Sequence, residues 1–202
     1  MRSNEPQQDR SRATRESLLE AALASLADVG WHGTTVVRVA ARAGVSRGAA
    51  QHHFATRDDL VRAALERVFD GFVENLRQRT AERTGDDRML AAVESLAEAW
   101  TGTAGRASMQ VWAAAANDPD LRSLVLPFES RMSKALFDVA AELLGADVEQ
   151  PHVRDSIRMT LHMLRGRGLG MLVRPELQRH RAELAQWAAV LAAMPGFGVF
   201  GG

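Results

Sequence analysis

The sequence predicts an all-α protein, and three observations support that fold class. Tyrosine is absent and aromatic residues make up only 5% of the 202 residues, so the chain lacks the aromatic enrichment of strands. No segment shows the sustained alternation of apolar and polar residues that a half-buried strand requires. Apolar residues instead recur at helical spacing between punctuating glycines and prolines. We therefore expect helices along the whole chain.

Local sequence signals predict where the first helices begin and end. Apolar side chains recur at i, i+3, i+4 and i+7 from Leu19 to Leu26, and Gly30 follows as a stop. Short helices are expected on either side of a turn at Gly44, and Thr56 is an N-cap residue for the next helix. The expected helices are residues 12–29, 35–43, 46–53, 56–83, 87–104, 106–117, 119–145, 152–173 and 176–194.

The composition excludes several classes of protein. Because there is no cysteine, disulfides, thiolate nucleophiles and cysteine-ligated zinc are excluded together. No run of 18 apolar residues occurs, so no membrane-spanning helix and no membrane partner are expected. The N-terminus lacks the apolar stretch of a signal peptide. We therefore expect a cytoplasmic protein.

The charge is unevenly distributed although its sum is zero, with 25 basic and 25 acidic residues. From Val29 to Arg57 there is no aspartate or glutamate, while four arginines occur in that stretch. A surface that faces the phosphates of a nucleic acid needs this absence of acidic residues. The acid-free window therefore indicates where a nucleic acid would bind.

The same window has the spacing of a helix-turn-helix. Ala40 lies where two helices cross closely, and Gly44 suits a turn that needs positive φ. Val45 is expected to point inward, and Ser46 to cap the second helix. Residues after Ser46 then project from a helix N-terminus, as on a recognition helix. The alternative is a tight helical hairpin in an ordinary bundle, which the caps and the acid-free window disfavour.

A set of positions within residues 12–68 forms a pattern that is longer than the helix-turn-helix itself. Its members are Ala21, Ala22, Gly30, Thr34, Thr35, Val36, Val39, Ala40, Ala43, Gly44, Val45, Ser46, Gly48, His53, Phe54, Arg57, Asp58, Asp59 and Leu60. Through these residues the segment 12–68 resembles the DNA-binding domain of the TetR family of bacterial transcriptional regulators. The rest of the chain matches that family only in layout, as a helical domain of the expected size.

The resemblance implies a division into an N-terminal three-helix helix-turn-helix DNA-binding domain and a helical C-terminal ligand-binding and dimerisation domain. The corresponding boundaries are a flexible arm at 1–11, the DNA-binding domain at 12–57, a connecting helix at 58–83, the second domain at 84–194 and a flexible tail at 195–202.

The resemblance also implies roles for individual residues. Thr35 and Arg57 correspond to phosphate contacts, and Arg47 is our choice for a base contact because a guanidinium can pair with both acceptors of guanine. Ala50 replaces a common leucine, and Gln51 replaces a tyrosine that usually touches the DNA backbone; Gln51 could donate to a phosphate or read an adenine. The expected DNA-binding residues are Thr34, Thr35, Ser46, Arg47, Gly48, Ala49, Gln51, His52 and Arg57.

Neither catalysis nor a metal site is predicted. His52 and His53 are adjacent helix positions that point about 100° apart, so they are poorly placed to chelate one ion. No recognised hydrolase, metalloprotease or nucleotide-binding motif occurs. The alternating glycines of residues 166–170 follow no strand, so they indicate close helix packing or a local break instead of a dinucleotide site. We expect no catalytic residue, no metal and no cofactor.

The last two helices carry apolar stripes that favour a homodimer. A DNA reader with one short recognition helix gains affinity by dimerising on a two-fold operator, and two helices from each subunit would form a four-helix bundle, as the resemblance also implies. The alternative is that the stripes face the core of the monomer. The expected interface residues are Ile157, Leu161, Leu164, Leu172, Leu184, Trp187 and Leu191.

Large apolar residues in the second half predict a cavity for a small, largely apolar effector. The alternative is a filled core, in a regulator that answers to a protein partner. A helical enzyme and a structural dimer on the same fold are less favoured hypotheses. The leading hypothesis is a homodimeric repressor that such an effector releases from a palindromic double-stranded DNA operator. The expected pocket residues are Trp100, Met109, Trp112, Phe128, Met132, His162 and Arg165.

Overall fold

The computed structural model describes residues 5–81, 88–174 and 177–199. Within those ranges the chain forms nine α-helices and no strand, so the expected all-α class is confirmed. The helices are α1 (Glu5–Gly33), α2 (Val36–Arg42), α3 (Arg47–His53), α4 (Arg57–Ala81), α5 (Arg88–Thr101), α6 (Thr103–Ala115), α7 (Pro119–Leu143), α8 (Pro151–Val173) and α9 (Leu177–Ala192).

Helix α1 begins earlier than expected, since residues 5–11 are helical where the sequence predicted a flexible arm. The segment lacks apolar periodicity, but Pro6 lies in the first turn, where a proline is tolerated. Gly30 interrupts the helix with φ 69° and ψ −173°. The expected stop is therefore a kink, after which one further helical turn reaches Gly33. Residues 1–4 of the expected arm lie outside the described residues.

The chain divides into two compact units. The first consists of the residues up to Val68 together with Arg106–Phe128, and the second of Phe69–Gly105 together with the residues from Glu129 onward. The expected boundary between the connecting helix and the second domain, at residues 83 and 84, lies outside the described residues.

In the first unit, α1, α2, α3 and the start of α4 surround one apolar core. The members of this cluster are at most 5% exposed, which leaves the polar faces of the two short helices for solvent. Burial of this kind fixes α2 and α3 relative to each other. The cluster consists of Leu18, Leu19, Ala21, Ala22, Val39, Ala40, Ala50, Phe54, Leu60 and Ala64.

In the second unit, α5 packs against both α8 and α9. Gly168 explains part of the unusual glycine content of α8, because a Cβ there would lie 2.6 Å from Cβ of Trp100. The expected close packing is thus found at Gly168. Gly166 and Gly170 have no such neighbour, since a Cβ at either position would meet nothing within 4 Å.

The C-terminal segment is held against the second unit, so the expected flexible tail is wrong for residues 195–199. The backbone N–H of Asp147 donates to the carbonyl of Gly196 at 2.8 Å, and that of Val199 donates to Gly145 at 2.9 Å. Phe197 is only 7% exposed. Glycines with φ of 89° at position 196 and 76° at position 198 allow this return path. Residues 200–202 lie outside the described residues.

Candidate functional site

The helix-turn-helix begins with two threonines that have different roles. The hydroxyl of Thr35 is exposed and accepts a hydrogen bond from the backbone N–H of Arg38 at 3.2 Å, so Thr35 is the N-cap of α2. Thr34 is fully buried, and its hydroxyl donates to the carbonyl of Gly30 at 2.8 Å. The expectation that Thr34 contacts DNA is therefore wrong, because Thr34 joins the kink of α1 to the start of α2.

The turn between α2 and α3 has the expected geometry. Gly44 adopts φ 68°, and the backbone N–H of Val45 donates to the carbonyl of Ala40 at 3.0 Å. Val45 packs against the apolar cluster. The hydroxyl of Ser46 accepts from the backbone N–H of Ala49 at 3.1 Å, which makes Ser46 the N-cap of α3. These local signals determine where α3 begins and which of its faces is exposed.

The exposed face of α3 carries four of the nine expected DNA-binding residues. Arg47, Gln51 and His52 are exposed, and so is Gly48, whereas Ala49 is half-buried. Neither α2 nor α3 has an acidic residue in its first turn. The face therefore offers a cation, an amide and an imidazole without a nearby carboxylate on the same helix.

Ala50 lies on the opposite face of α3, where it is 1% exposed and belongs to the apolar cluster. This departure, at a position where a leucine was expected, therefore lies in the core and away from the exposed face of α3. Gln51, the other departure, is exposed. An amide at this position can donate or accept a hydrogen bond, so this is the departure that affects the candidate DNA-facing surface.

Arg57 begins α4 in a defined environment. Its guanidinium lies 3.9 Å from the centre of the Trp31 ring, and its Nε lies 3.6 Å from a carboxylate oxygen of Asp58. The hydroxyl of Thr56 accepts from the backbone N–H of Asp59 at 3.0 Å, as an N-cap does. The Arg57 side chain remains 35% exposed, so it retains access to a phosphate.

The acid-free window contains two further arginines that the sequence-based set of contacts omitted. Arg38 is exposed on α2 close to Thr35, and its place in the window was the signal that could have selected it. Arg42 pairs instead with Asp28 of α1 at 2.7 Å. Both arginines are exposed, and the ion pair with Asp28 is what distinguishes Arg42 from Arg38.

The paired histidines do not form a chelate. The ring centres of His52 and His53 lie 5.7 Å apart, and the ring planes differ by 70°. His53 is half-buried beside Phe54, with the ring centres 6.4 Å apart, whereas His52 is exposed. Throughout the described ranges, no three histidine, aspartate or glutamate side chains are grouped so that they could hold a metal ion.

In the second unit, a groove between α7 and α8 has a volume of about 350 Å3. Of the expected pocket residues, His162 and Arg165 line this groove. Trp100 lies behind it, with the Arg165 guanidinium 4.7 Å from its ring centre. The groove is lined by Ser133, Lys134, Leu136, Phe137, Arg158, Leu161, His162 and Arg165.

The other expected pocket residues do not line the groove. Met132 is 7% exposed and belongs to the second unit, but it lies outside the lining. Met109, Trp112 and Phe128 belong to the first unit. The sequence selected these residues because they are large and apolar, which indicates burial. The position of a groove depends instead on which helices leave space between them.

Most of the expected dimer residues are buried within the single chain. Trp187 is half-buried and its Nε1 donates to the Thr160 hydroxyl at 3.1 Å, across α8 and α9. Leu172 alone among the expected residues is exposed, at 37%. The five buried residues therefore face the core of the monomer, and their assignment to the interface is wrong, whereas Leu172 remains available to a partner. The buried members, all at most 7% exposed, are Ile157, Leu161, Leu164, Leu184 and Leu191.

A polar cluster joins α8 to α9. Arg167 forms an ion pair with Glu183, and its Nη2 lies 2.7 Å from Nδ1 of His180. Burial lowers the pKa of His180, and the positive charge of Arg167 lowers that pKa further. Hydrogen bonds from Arg167 and Arg179 lower the pKa of Glu183. The arrangement favours a neutral His180 whose Nδ1 accepts from Arg167 and an ionised Glu183.

Each α-helix among the described residues is too short or too polar to span a lipid bilayer.

Residues 18–64 match the family model described as bacterial regulatory proteins of the tetR family. That match contains α2, α3 and the start of α4, which are the elements that hold the candidate DNA-facing residues.

Comparison with known proteins extends the similarity beyond this segment. The chain is 30% identical to the HTH-type transcriptional regulator CymR of Pseudomonas putida over 87% of this chain and 85% of that relative. A transcriptional regulator from Rhodococcus sp. Rha1 is 25% identical, with a TM-score of 0.58 over 88% of this chain and 95% of the other. A transcriptional regulator from Saccharomonospora viridis, solved in complex with choline, is 18% identical, with a TM-score of 0.63 over 86% and 94% of the two chains.

The helix-turn-helix geometry, the family match and the long similarity to a curated regulator lead to the same assignment. These relatives are transcriptional regulators, and enzymatic activity is not part of that assignment. The chain belongs to the tetR family of bacterial regulatory proteins and is a DNA-binding transcriptional regulator.

Proposed function

We propose that this regulator is a homodimeric repressor that binds a palindromic operator and leaves it when a small molecule binds the second unit. The observation that carries the proposal is the exposed, acid-free face of α3, which the Ser46 cap and the Gly44 turn hold in place. A short recognition helix reads few base pairs, so two copies on a two-fold site supply the remaining specificity.

The proposed DNA contacts divide into positioning and reading contacts. Thr35 and Arg57 bind phosphates, since one is exposed at a helix N-terminus and the other presents a partly exposed guanidinium. Arg47 reads a guanine, and Gln51 reads an adenine or binds a phosphate. Ser46, Gly48, Ala49 and His52 complete the surface.

The proposed dimer uses the outer faces of α8 and α9. These faces expose apolar and small residues at helical spacing, including Val173 at 87%, Met159 at 67% and Leu169 at 57% exposure. Two such faces from each of two chains bury their apolar surface in a four-helix bundle. The residues of this proposed interface are Met159, Gly166, Leu169, Gly170, Leu172, Val173, Ala182, Gln186, Ala189, Val190 and Ala193.

The groove between α7 and α8 is the proposed effector site. Its volume lies in the range of about 300 to 1,000 Å3 that small-molecule sites occupy. The Saccharomonospora regulator, which shares the fold, was solved in complex with choline, and this supports a small-molecule effector in general without indicating the charge of the one that binds here. Control of transcription requires that the effector bind one of two conformational states more tightly than the other.

The proposal is tested by incubating the purified protein with fragmented genomic DNA at moderate salt and sequencing what is recovered. An enriched inverted repeat is expected, with half-sites about one helical turn, 34–36 Å, apart or at a multiple of that spacing. Arg47→Ala should weaken specific binding by about 1–3 kcal/mol and relax the base preference at one position of each half-site. Uniform recovery of DNA would contradict the proposal.

A matched control variant distinguishes base recognition by Arg47 from a general effect of removing one positive charge. Arg181 is an exposed arginine of α9 that pairs with Glu94 and lies in the second unit. Arg181→Gln removes one positive charge, as Arg47→Ala does, and should recover the same inverted repeat as the wild type.

Repression is then measured with a reporter gene placed behind the recovered repeat. Expression that does not fall when the regulator is present would contradict the repressor assignment.

A further inference from the structure

The groove between α7 and α8 combines an apolar floor with a cationic rim. Leu136 and Leu161 form the floor and are 2% and 7% exposed, and the half-buried Phe137 adjoins them. The polar side chains that line the groove are Ser133, Lys134, Arg158, His162 and Arg165. No carboxylate is among these lining residues. A ligand in this groove therefore meets apolar surface on one side and positive charge on the other.

The two rim cations are held only loosely by their acidic neighbours. Lys134 pairs with Asp138 four residues along α7, and Arg158 pairs with Asp155 three residues back on α8. Both pairs are well exposed to solvent, and the Lys134 side chain retains 76% of its accessible surface. Exposed pairs of this kind contribute little stability, so either cation can turn toward an anionic ligand at low cost.

Arg165 is the cation that lies deepest in the groove. Its side chain is only 32% exposed, and its guanidinium lies 4.7 Å from the ring centre of Trp100. Burial lowers the pKa of Arg165, although the charge of Glu129 acts in the opposite direction. A guanidinium that has lost part of its hydration gains more from an added anion than one in bulk water does.

Glu129 is an acidic neighbour of Arg165 that also bonds within α7. Its Oε1 lies 3.9 Å from Nη2 of Arg165, which is an ion pair but longer than a hydrogen bond. The same oxygen accepts a hydrogen bond from the Ser133 hydroxyl at 2.8 Å. Glu129 is thus engaged by α7 itself while it partly balances the charge of Arg165.

We propose that this groove binds an amphipathic organic carboxylate. Its carboxylate meets Arg165, with Arg158 and Lys134 at the rim, while its apolar body lies on Leu136 and Leu161. The proposal refines the largely apolar effector that the sequence predicted, and it disfavours a cationic ligand in this groove. It rests on the proposed function for its regulatory consequence, whereas the binding itself can be measured without DNA.

The test is isothermal titration of the full-length protein with octanoate and decanoate. The matched probes are octanol, which has the same chain without the charge, and octyltrimethylammonium, which has the opposite charge. Octanoate should bind at one site per chain and about tenfold or more tighter than octanol, as expected for a charge-assisted hydrogen bond. No detectable binding of octyltrimethylammonium is expected. Equal affinity for octanoate and octanol, or no binding of either carboxylate, would overturn the proposal.

Variants locate the binding in this groove. Arg165→Gln should weaken octanoate binding about tenfold or more, with octanol binding unchanged. Because Arg165 also contacts Trp100, the double variant Lys134→Gln, Arg158→Gln provides a second test at exposed positions that do not support the core. Arg181→Gln removes an exposed arginine that pairs with Glu94 outside the groove and should bind octanoate as the wild type does. Octanoate binding that is unchanged in both groove variants would overturn the proposal.

The two proposals fail in different ways. Recovery of an inverted repeat by a protein that does not bind the carboxylates would remove the carboxylate assignment and leave the operator-binding repressor intact. Groove-dependent octanoate binding by a protein that recovers no inverted repeat would remove the repressor assignment and leave the carboxylate site intact. If both hold, octanoate should lower the affinity for the recovered repeat in wild type and Arg181→Gln but not in Arg165→Gln.

Discussion

The guanidinium of Arg57 lies 3.9 Å from the centre of the Trp31 ring. Trp31 follows the kink at Gly30 and is only 4% exposed, so its ring is a fixed surface. A cation over an aromatic face is stabilised by about 0.5–2 kcal/mol. The first residue of α4 therefore presents its charge from a position that α1 defines.

The Arg57 contact predicts a loss of affinity that does not depend on sequence. Arg57→Ala should weaken binding to specific and nonspecific DNA alike and lower the salt slope by about one, because one phosphate contact is lost. The measurement is fluorescence anisotropy of labelled duplexes at several salt concentrations. Arg77→Ala, which removes an exposed arginine paired with Glu142 farther along α4, is the control that should leave both quantities unchanged. A loss confined to the operator would instead make Arg57 a base-reading residue.

The exposed faces of α8 and α9 predict where the dimer can be broken. Val173 is 87% exposed and Val190 is 43% exposed, so the double variant Val173→Glu, Val190→Glu should fold and sediment as a monomer. Charges buried without partners in the bundle are costly. Val199→Glu alters a valine that is 67% exposed outside both helices, and it should sediment as the wild type does. If the double variant remains dimeric, the interface lies elsewhere.

Gly168 and Gly71 predict opposite effects of the same substitution. Gly168→Ala should destabilise the second unit, since its Cβ would lie 2.6 Å from Cβ of Trp100 and 3.2 Å from the Trp100 carbonyl oxygen. Gly71→Ala, in α4, meets nothing within 4 Å and should stabilise the protein by about 1 kcal/mol. Urea denaturation of the two variants measures both changes. Equal effects would mean that the α5–α8 contact relaxes freely.

His180 predicts a loss of stability on acidification. Its pKa is lowered in the folded protein from the ordinary value of 6.5, so the unfolded chain takes up the proton more readily. The free energy of unfolding should therefore fall as the pH drops through and below about 6.5. Glu183, whose pKa is also lowered, adds to the loss only in the more acidic range below its ordinary value of 4.5.

The variant His180→Gln keeps an acceptor for Arg167 but does not titrate. It should show a flatter dependence of unfolding free energy on pH just below 6.5 than the wild type, whose His180 pKa is lowered. His32→Gln changes an exposed histidine of the other unit and serves as the control. Parallel curves for His180→Gln and the wild type would show that this histidine is not the titrating group. Chemical denaturation at a series of pH values provides the curves.

The two short helices of the helix-turn-helix, α2 and α3, were the most predictable part of the fold, because where they begin and end depends on residues nearby in the sequence. The hydroxyls of Thr35 and Ser46 each cap a helix by accepting from the backbone N–H three residues later, and Gly44 supplies the required positive φ. Such signals depend only on residues that lie close together in the sequence. Thr34 was misplaced because its hydrogen bond to Gly30 depends on a kink within α1 that a stop signal does not specify.

The second unit was less predictable, because its site and interface depend on which helices meet. The stripe containing Ile157 and Leu164 correctly identified a buried face of α8. Periodicity alone cannot distinguish a face buried in the monomer from one buried in a dimer. Similarly, His162 and Arg165 reach the groove only because α7 approaches α8, and no local spacing indicates that approach.

The packed C-terminal segment makes the end of the chain a structural component. Gly196 approaches Val153 so closely that a Cβ would lie 2.7 Å from its Cγ2, and Val153 is fully buried. Deleting the residues after Met194 would uncover that valine and leave the carbonyls of Leu144 and Gly145 without the donors they have at 3.1 and 2.9 Å. Such a truncation is equivalent to a core mutation where α7 ends and α8 begins. It also removes the residues that pack against the first turn of α8.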